Sequence, residues 1–315
     1  AAVDHLGSQL TDNSFLEKHI EEVLKLTLVN EAVIKAAKFK VVVDGVNSSG
    51  GIYIPALLEA MGVEVIKLFC DPTGHFPHNP EPLKEHLTDI KAAVLAHKAD
   101  LGIVVDPDVD RLAFISEDGS MFGEEYTLVA CADYVLSKTP GATVSNLSST
   151  RALRDVTQKH GQKYTASAVG EVNVVTAMKA ENAVIGGEGN GGIIYPESHY
   201  GRDALVGVAL FLMLLAEKKT TASALRATYP AYFMRKDKIS LTEDINVDAI
   251  LTAMATLYKE EEVNTTDGVK IDFEHHWVHL RKSNTEPIIR IYTEATSLDL
   301  ATSVADAMMK QILDL

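Results

Sequence analysis

Two clusters in this chain carry the residue types of phosphate chemistry. In the first, Arg281-Lys282-Ser283-Asn284-Thr285 puts cations, hydroxyls and an amide into one turn, and Arg290 follows on the next apolar run. Arginine offers a rigid donor fork matched to phosphate oxygens, and hydroxyls and backbone amides add donors. In the second, Asp106-Pro107-Asp108-Val109-Asp110-Arg111 sets carboxylates at i, i+2 and i+4 just beyond the apolar run Leu101–Val105. In a turn these carboxylates can converge on one hard cation through oxygen ligands, as Mg²⁺ requires. Arg111 beside them is placed to meet a phosphate oxygen on the same ion. Three other readings compete. A calcium loop would use the same carboxylates with Glu117 at its twelfth position, but Arg111 stands where that loop needs glycine, and a strand precedes instead of a helix. A phosphatase-like aspartyl nucleophile also follows a strand. A plain acidic surface turn needs no ligand.

A third loop, Ile185-Gly186-Gly187-Glu188-Gly189-Asn190-Gly191-Gly192, is rich enough in glycine for close backbone approach. Its remaining polar side chains, Glu188 and Asn190, suit sugar hydroxyls or an amine. It contains neither a dinucleotide fingerprint nor a Walker lysine; with no ligand it would be a flexible turn. Gly45–Gly51 has the outline of a phosphate cradle but no cation, which favours a structural turn. Asp203, after Arg202, is expected to cap the apolar helix that follows. His275, Trp277 and His279 alternate along one strand and are expected on a partly exposed face near the anion turn. Ser148-Ser149 lies at a strand end, but no GxSxG elbow exists to make a nucleophile.

The elements that must position these loops follow from periodicity. One long helix is expected from Phe15 to about Lys38, with apolar positions at Ile20, Val23, Leu24 and Leu28. Strands at 39–44, 63–68 and 101–105 alternate with helices, the signature of a mostly parallel α/β layer. A second run has helices at 124–137, near 150, at 171–179 and at 203–217, with a strand at 143–147. Beyond Tyr229 the pattern changes to strands at 269–273, 277–280 and 288–293 with helices at 247–260 and 297–313. The expected fold is therefore α/β, two tandem mixed α/β domains followed by a smaller α+β C-terminal domain. The boundaries are 1–17 as a linker or remnant, 18–120 with the Asp-rich turn, 121–228 with the Gly-rich loop, and 229–315 with the anion turn.

The 315 residues carry 44 acidic against 29 basic side chains, a net charge of −15, which argues against nucleic acid or an anionic membrane as partner. A small phosphate ester needs only a few placed cations. Cys70 and Cys131 form no CxxC pair and read as buried free thiols. The longest apolar stretch, 204–216, is too short to span a bilayer, and no leader is visible, so a cytoplasmic location is expected.

Taken in order, the three loops resemble those of the α-D-phosphohexomutase family, whose members move phosphate between O6 and O1 of a hexose or hexosamine. The family's Asp-Gly-Asp-Gly-Asp-Arg metal loop is similar to Asp106–Arg111, its Gly-Glu-x-Ser-Gly sugar loop to Gly187–Gly191 with Asn190 in the serine's place, and its Arg-x-Ser-Gly/Asn-Thr-x-Pro phosphate loop to Arg281–Pro287. The resemblance implies Mg²⁺ on Asp106, Asp108 and Asp110, and a catalytic role for Arg111. It further implies sugar contacts from Glu188 and Asn190, and a phosphate grip from Arg281, Ser283, Asn284, Thr285 and Arg290. A hexose or hexosamine 1,6-bisphosphate is the implied activator and intermediate. Family members also carry a first domain with a phosphoserine in Thr-Ala-Ser-His-Asn-Pro; Tyr164-Thr165-Ala166-Ser167-Ala168-Val169 breaks before the histidine and is no substitute. The chain thus looks like domains two to four, inactive alone, of a monomeric or homodimeric enzyme. The 76–82 segment and the loop variants favour glucosamine phosphate over phosphomannose or phosphoglucose. A noncatalytic phosphosugar-binding protein is the alternative from another class.

Overall fold

The computed structural model describes residues 7, 9–240, 246–283 and 288–314. The N-terminal part opens with helices α1 (Phe15–Leu24) and α2 (Glu31–Ala37), then β1 (Lys40–Asp44), α3 (Gly50–Ala60), β2 (Glu64–Leu68), α4 (Thr88–His97), β3 (Leu101–Val105) and β4 (Leu112–Ser116). The single helix expected over 15–38 is thus two. Asn30 adopts extended backbone and its side chain accepts from the amides of Ala32 and Val33, starting α2 afresh. The sheet runs β2-β1-β3-β4, parallel except for the β3–β4 pair.

The middle part comprises α5 (Glu124–Lys138), β5 (Thr143–Asn146), α6 (Ala152–Lys159), β6 (Tyr164–Ser167), α7 (Glu171–Glu181), β7 (Ile185–Glu188), β8 (Gly192–Ile194), α8 (Ala204–Lys218) and α9 (Ala222–Arg226). Its sheet, β6-β5-β7-β8, repeats the first plan: three parallel strands and one antiparallel edge strand. The last part contains β9 (Phe233–Ser240), α10 (Val247–Leu257), β10 (Glu262–Asn264), β11 (Val269–Asp272), β12 (His276–Lys282), β13 (Ile288–Ala295) and α11 (Leu298–Leu313), with an antiparallel sheet β10-β11-β12-β13-β9. The α/β, α/β, α+β series is the fold class expected from the sequence.

One hydrophobic core runs through the first two sheets and a second fills the C-terminal part. Helix α8 is the pin: every residue from Ala204 to Leu215 is buried, and Phe211 stacks on Phe114 of β4 with ring centroids 3.9 Å apart. Each such fully buried large apolar side chain contributes roughly 1.5–3 kcal/mol. The strand leaving the Asp-rich turn and the helix following the Gly-rich loop are therefore packed as one body. Asp203 caps α8, accepting from the amides of Leu205 and Val206. Cys131 is buried, whereas Cys70 is only half-buried. No helix among the described residues is long and apolar enough to cross a membrane.

Candidate functional site

The Asp-rich turn connects the antiparallel strands β3 and β4, which removes the helix–loop–helix frame a calcium loop would need. Asp106 is buried, and its Oδ1 accepts from the amides of Asp110 (3.1 Å) and Arg111 (3.0 Å), closing the turn. Ser48 and Ser49 donate to the carbonyl of Pro107 at 2.8 and 2.7 Å. The Gly45–Gly51 turn is thus a brace for the carboxylates, in line with its structural reading. Val109 sits at φ +62°, a conformation in which a β-branched side chain is strained by on the order of 1–3 kcal/mol. The family's loop has glycine there.

One ligand oxygen each from Asp106, Asp108 and Asp110 lies within 4.8 Å of the others. Asp110 Oδ1 is buried without a hydrogen-bond partner among the described residues, and Arg111 Nε stands 3.8 Å from it and 3.5 Å from Asp106 Oδ2. Burial, with Asp110 and Asp108 adding repulsion against the backbone hydrogen bond from Arg111, pushes the Asp106 pKa up. Converging hard oxygens, mutual repulsion and one orphaned acceptor fit a divalent cation such as Mg²⁺, which would relieve all three.

The Gly-rich loop is the tight connection between β7 and β8, Glu188 pairing with Gly192. Gly191, at φ +89°, lets its carbonyl accept from the Leu112 amide at 3.1 Å, and a Cβ there would strike the Leu112 backbone. The two loops are therefore joined by backbone. Glu188 is buried, with Oε1 accepting from Asn146 Nδ2 (2.9 Å) and Oε2 from Arg202 (3.0 Å). Asn190 Oδ1 accepts from the Gly192 amide at 3.2 Å.

In the C-terminal sheet, Arg281 pairs with Arg290, and Arg290 with Lys238, so three cations stand in one row across β12, β13 and β9. Arg281 Nε forms an ion pair with Asp267 Oδ2 at 2.9 Å. The Ser283 amide donates to the Ile288 carbonyl at 3.1 Å. Asn284 and Thr285 lie outside the described residues. Arg111, Glu188, Asn190, Arg281 and Arg290 all line one cleft of ≈ 470 Å³, within the range of small-molecule sites. Asp106 and Asp110 adjoin the cleft through Arg111, whose Nε lies 3.5 and 3.8 Å from their carboxylates.

Several residues of this region were not singled out from sequence. Lys236 and Tyr292 line the cleft beside Arg290, and their only sequence signal is the alternation of Lys236 and Lys238 along one strand. Glu125 also lines it, and burial pushes its pKa up to about 8 even with Lys236 3.8 Å away. Trp277 and His279 are buried, not partly exposed: the segment after β5 covers them, Ser148 meeting His279, and Arg151 sharing with Trp277 the Glu294 carboxylate. His275 is exposed and precedes the strand. Ser148 Oγ meets His279 Nδ1 at 2.9 Å, and His279 Nε2 meets the Asp267 carbonyl at 2.7 Å. This is no activated serine: burial lowers the His279 pKa to about 4, outweighing the hydrogen bond to the Asp267 carbonyl, and among the described residues no carboxylate accepts from the ring to hold an imidazolium.

Family comparison agrees with this geometry. Models for phosphoglucomutase/phosphomannomutase alpha/beta/alpha domain II, alpha/beta/alpha domain III and the C-terminal domain match residues 17–119, 123–232 and 235–311. A protein of Methanopyrus kandleri named probable phosphoglucosamine mutase is 33% identical over 307 residues, covering 96% of this chain and 67% of its own length. The chain belongs to the phosphoglucomutase/phosphomannomutase family. Within that family, a phosphoglucomutase/phosphomannomutase of Thermococcus kodakarensis is 35% identical over 306 residues, 96% of this chain and 66% of the relative. The chain thus spans about two thirds of the length of these curated relatives. A crystal structure of a family member from Burkholderia thailandensis superposes with a TM-score of 0.81 at 27% identity, covering 94% of this chain and 63% of that one.

Proposed function

We propose that this chain is the metal-, sugar- and phosphate-binding portion of a phosphohexomutase that interconverts 6-phospho and 1-phospho sugars. The observation that carries the reading is the convergence on one cleft of side chains from all three family-matched regions: Arg111, then Glu188 and Asn190, then Arg281 and Arg290. Arg281 and Arg290 hold the phosphate that is not reacting, and Ser283 stands at the start of the same loop. Glu188 and Asn190 orient the ring by its hydroxyls. Arg111 reaches the transferring phosphoryl group from the side of Asp106 and Asp110. Mg²⁺ held by Asp106, Asp108 and Asp110 would neutralise charge on that group. The phosphoryl donor and acceptor in this reading is the phosphoserine of a first domain. The bisphosphorylated sugar turns over between the two half-reactions, and each transfer makes one P–O bond as it breaks another.

Among sugars, glucosamine phosphate is the substrate we favour. Glu81 and Glu124 line the cleft beside Glu188, carboxylates that suit a protonated 2-amino group. The test is mutase activity of the protein with its first domain, Mg²⁺ and glucose 1,6-bisphosphate, on glucosamine 6-phosphate, mannose 6-phosphate and glucose 6-phosphate. A glucosamine preference supports the assignment. Preference for mannose or glucose overturns the sugar but keeps the reaction, and absence of turnover on all three overturns both.

A further inference from the structure

Arg202 belongs to none of the three motifs, yet it is the point where two of them meet. Its guanidinium is mostly buried, with 15% of the side chain exposed, and it faces three carboxylates from three separate segments. One arm donates to Asp110 Oδ2 of the metal turn, another to Glu188 Oε2 of the sugar loop at 3.0 Å, and Nε to Glu171 Oε2 at the start of α7 at 3.1 Å. Asp110 is thereby held by one oxygen while the other, Oδ1, is buried without a hydrogen-bond partner among the described residues. That is the state of a carboxylate prepared for a single metal bond. Glu188 is likewise fixed on both oxygens, by Arg202 and by Asn146. The path is built for this side chain: a Cβ at Gly192 would collide with Arg202 Cδ. Behind it, Asp203 anchors the segment as the cap of buried α8, and the Leu112–Gly191 backbone bond ties the same two loops together.

We propose that Arg202 is a positioning residue that couples the metal turn to the sugar loop, so that divalent cation and phosphosugar each tighten the other's binding. The proposal rests on the function proposed above for the sugar arm, but its metal arm stands alone. A planar fork can hold Asp110, Glu188 and Glu171 in one geometry, whereas a lysine ammonium is a point charge that cannot bridge all three. A bound cation draws on Asp110, and any shift of that carboxylate is passed through the fork to Glu188. Reciprocity then requires the sugar to change metal affinity by the same factor.

The experiment measures Mn²⁺ affinity by electron paramagnetic resonance, with and without saturating glucose 6-phosphate, for the wild type, Arg202→Lys and Arg202→Met. Folding of each variant is checked by thermal melting. The expected result is that Arg202→Lys, with charge unchanged, weakens Mn²⁺ alone by about tenfold, as loss of an outer-shell partner does. It also removes the several-fold tightening that the sugar gives the wild type. If Arg202→Lys binds Mn²⁺ like the wild type while Arg202→Met binds it more tightly, Arg202 is only a counter-charge and the proposal fails. A wild type that binds Mn²⁺ without any response to sugar overturns the coupling. If in addition no sugar binding is found by calorimetry, the function reading fails, and loss of metal affinity in Arg202→Lys still decides the positioning of Asp110.

Discussion

Replacing Arg151 with alanine should loosen the C-terminal sheet from the rest of the molecule. The side chain is 5% exposed and crosses from the start of α6 into the turn between β11 and β12. It donates to Asp272 Oδ1 at 2.8 Å and to the carbonyls of Glu274, Phe273 and His276 at 3.1, 3.0 and 3.0 Å. Breaking a buried ion pair by removing one partner costs about 3–5 kcal/mol, chiefly through the charge left behind. Here Asp272 keeps Arg154 at 3.5 Å and Lys270 at 3.8 Å, so the lower end applies, about 3 kcal/mol. With an unfolding entropy of about 2.1 cal/mol/K per residue, a cooperative chain of 315 residues would lose about 5 °C in Tm. The assay is differential scanning calorimetry of the variant beside Arg154→Ala, whose 28% exposed side chain makes, among the described residues, ion pairs at 3.5 and 3.8 Å and should cost under about 1 kcal/mol. Phosphosugar affinity should fall with Arg151→Ala, because Arg281 and Arg290 sit on one side of this junction and Glu188 on the other. Equal melting of the two variants would refute the argument.

Three further outcomes are expected. Asp108→Asn should leave the metal-free Tm unchanged or slightly higher, since an exposed member of a repelling trio is neutralised. It should also abolish the Mg²⁺-induced rise, which at a hundredfold excess over Kd is about 2.7 kcal/mol, read by thermal shift. Glu125 has its pKa raised from 4.5 to about 8, so the folded state keeps a proton that the unfolded chain has released, and stability falls as pH climbs through that window. Glu125→Gln should match the wild type near pH 5 and exceed it by a few kcal/mol near pH 8 in paired denaturant titrations; parallel curves would show the group to be ionised throughout. At Val109, glycine should give a more stable protein than alanine by about 1 kcal/mol in chemical denaturation, because alanine loses the buried side chain and keeps the strain of φ +62°.

The sequence by itself determined what is local. Three carboxylates at alternate positions in one turn are within reach of one ion whatever surrounds them, and Asp106, Asp108 and Asp110 do converge. Strand and helix periodicity sufficed for the α/β, α/β, α+β series, since alternation and amphipathicity are properties of a few consecutive residues. The short polar strand Tyr164–Ser167 and the break before Asn30 escaped that reading, because pairing with β5 makes the first and a single cap makes the second. Tertiary structure alone decided the partnerships between distant segments. Arg202 reads locally as the neighbour of a helix cap, and becomes a bridge only because Asp110, 92 positions earlier, is packed beside it. His279 reads as a half-exposed strand residue, and is buried between Ser148 and the Asp267 carbonyl, where desolvation keeps it neutral against the pull of that carbonyl. Lys238 joins the row of Arg281 and Arg290 through strand order, which places β9 next to β13 instead of its chain neighbours. Reach along the chain is set by covalent geometry and is legible in sequence, whereas proximity across the chain is set by which apolar faces bury one another.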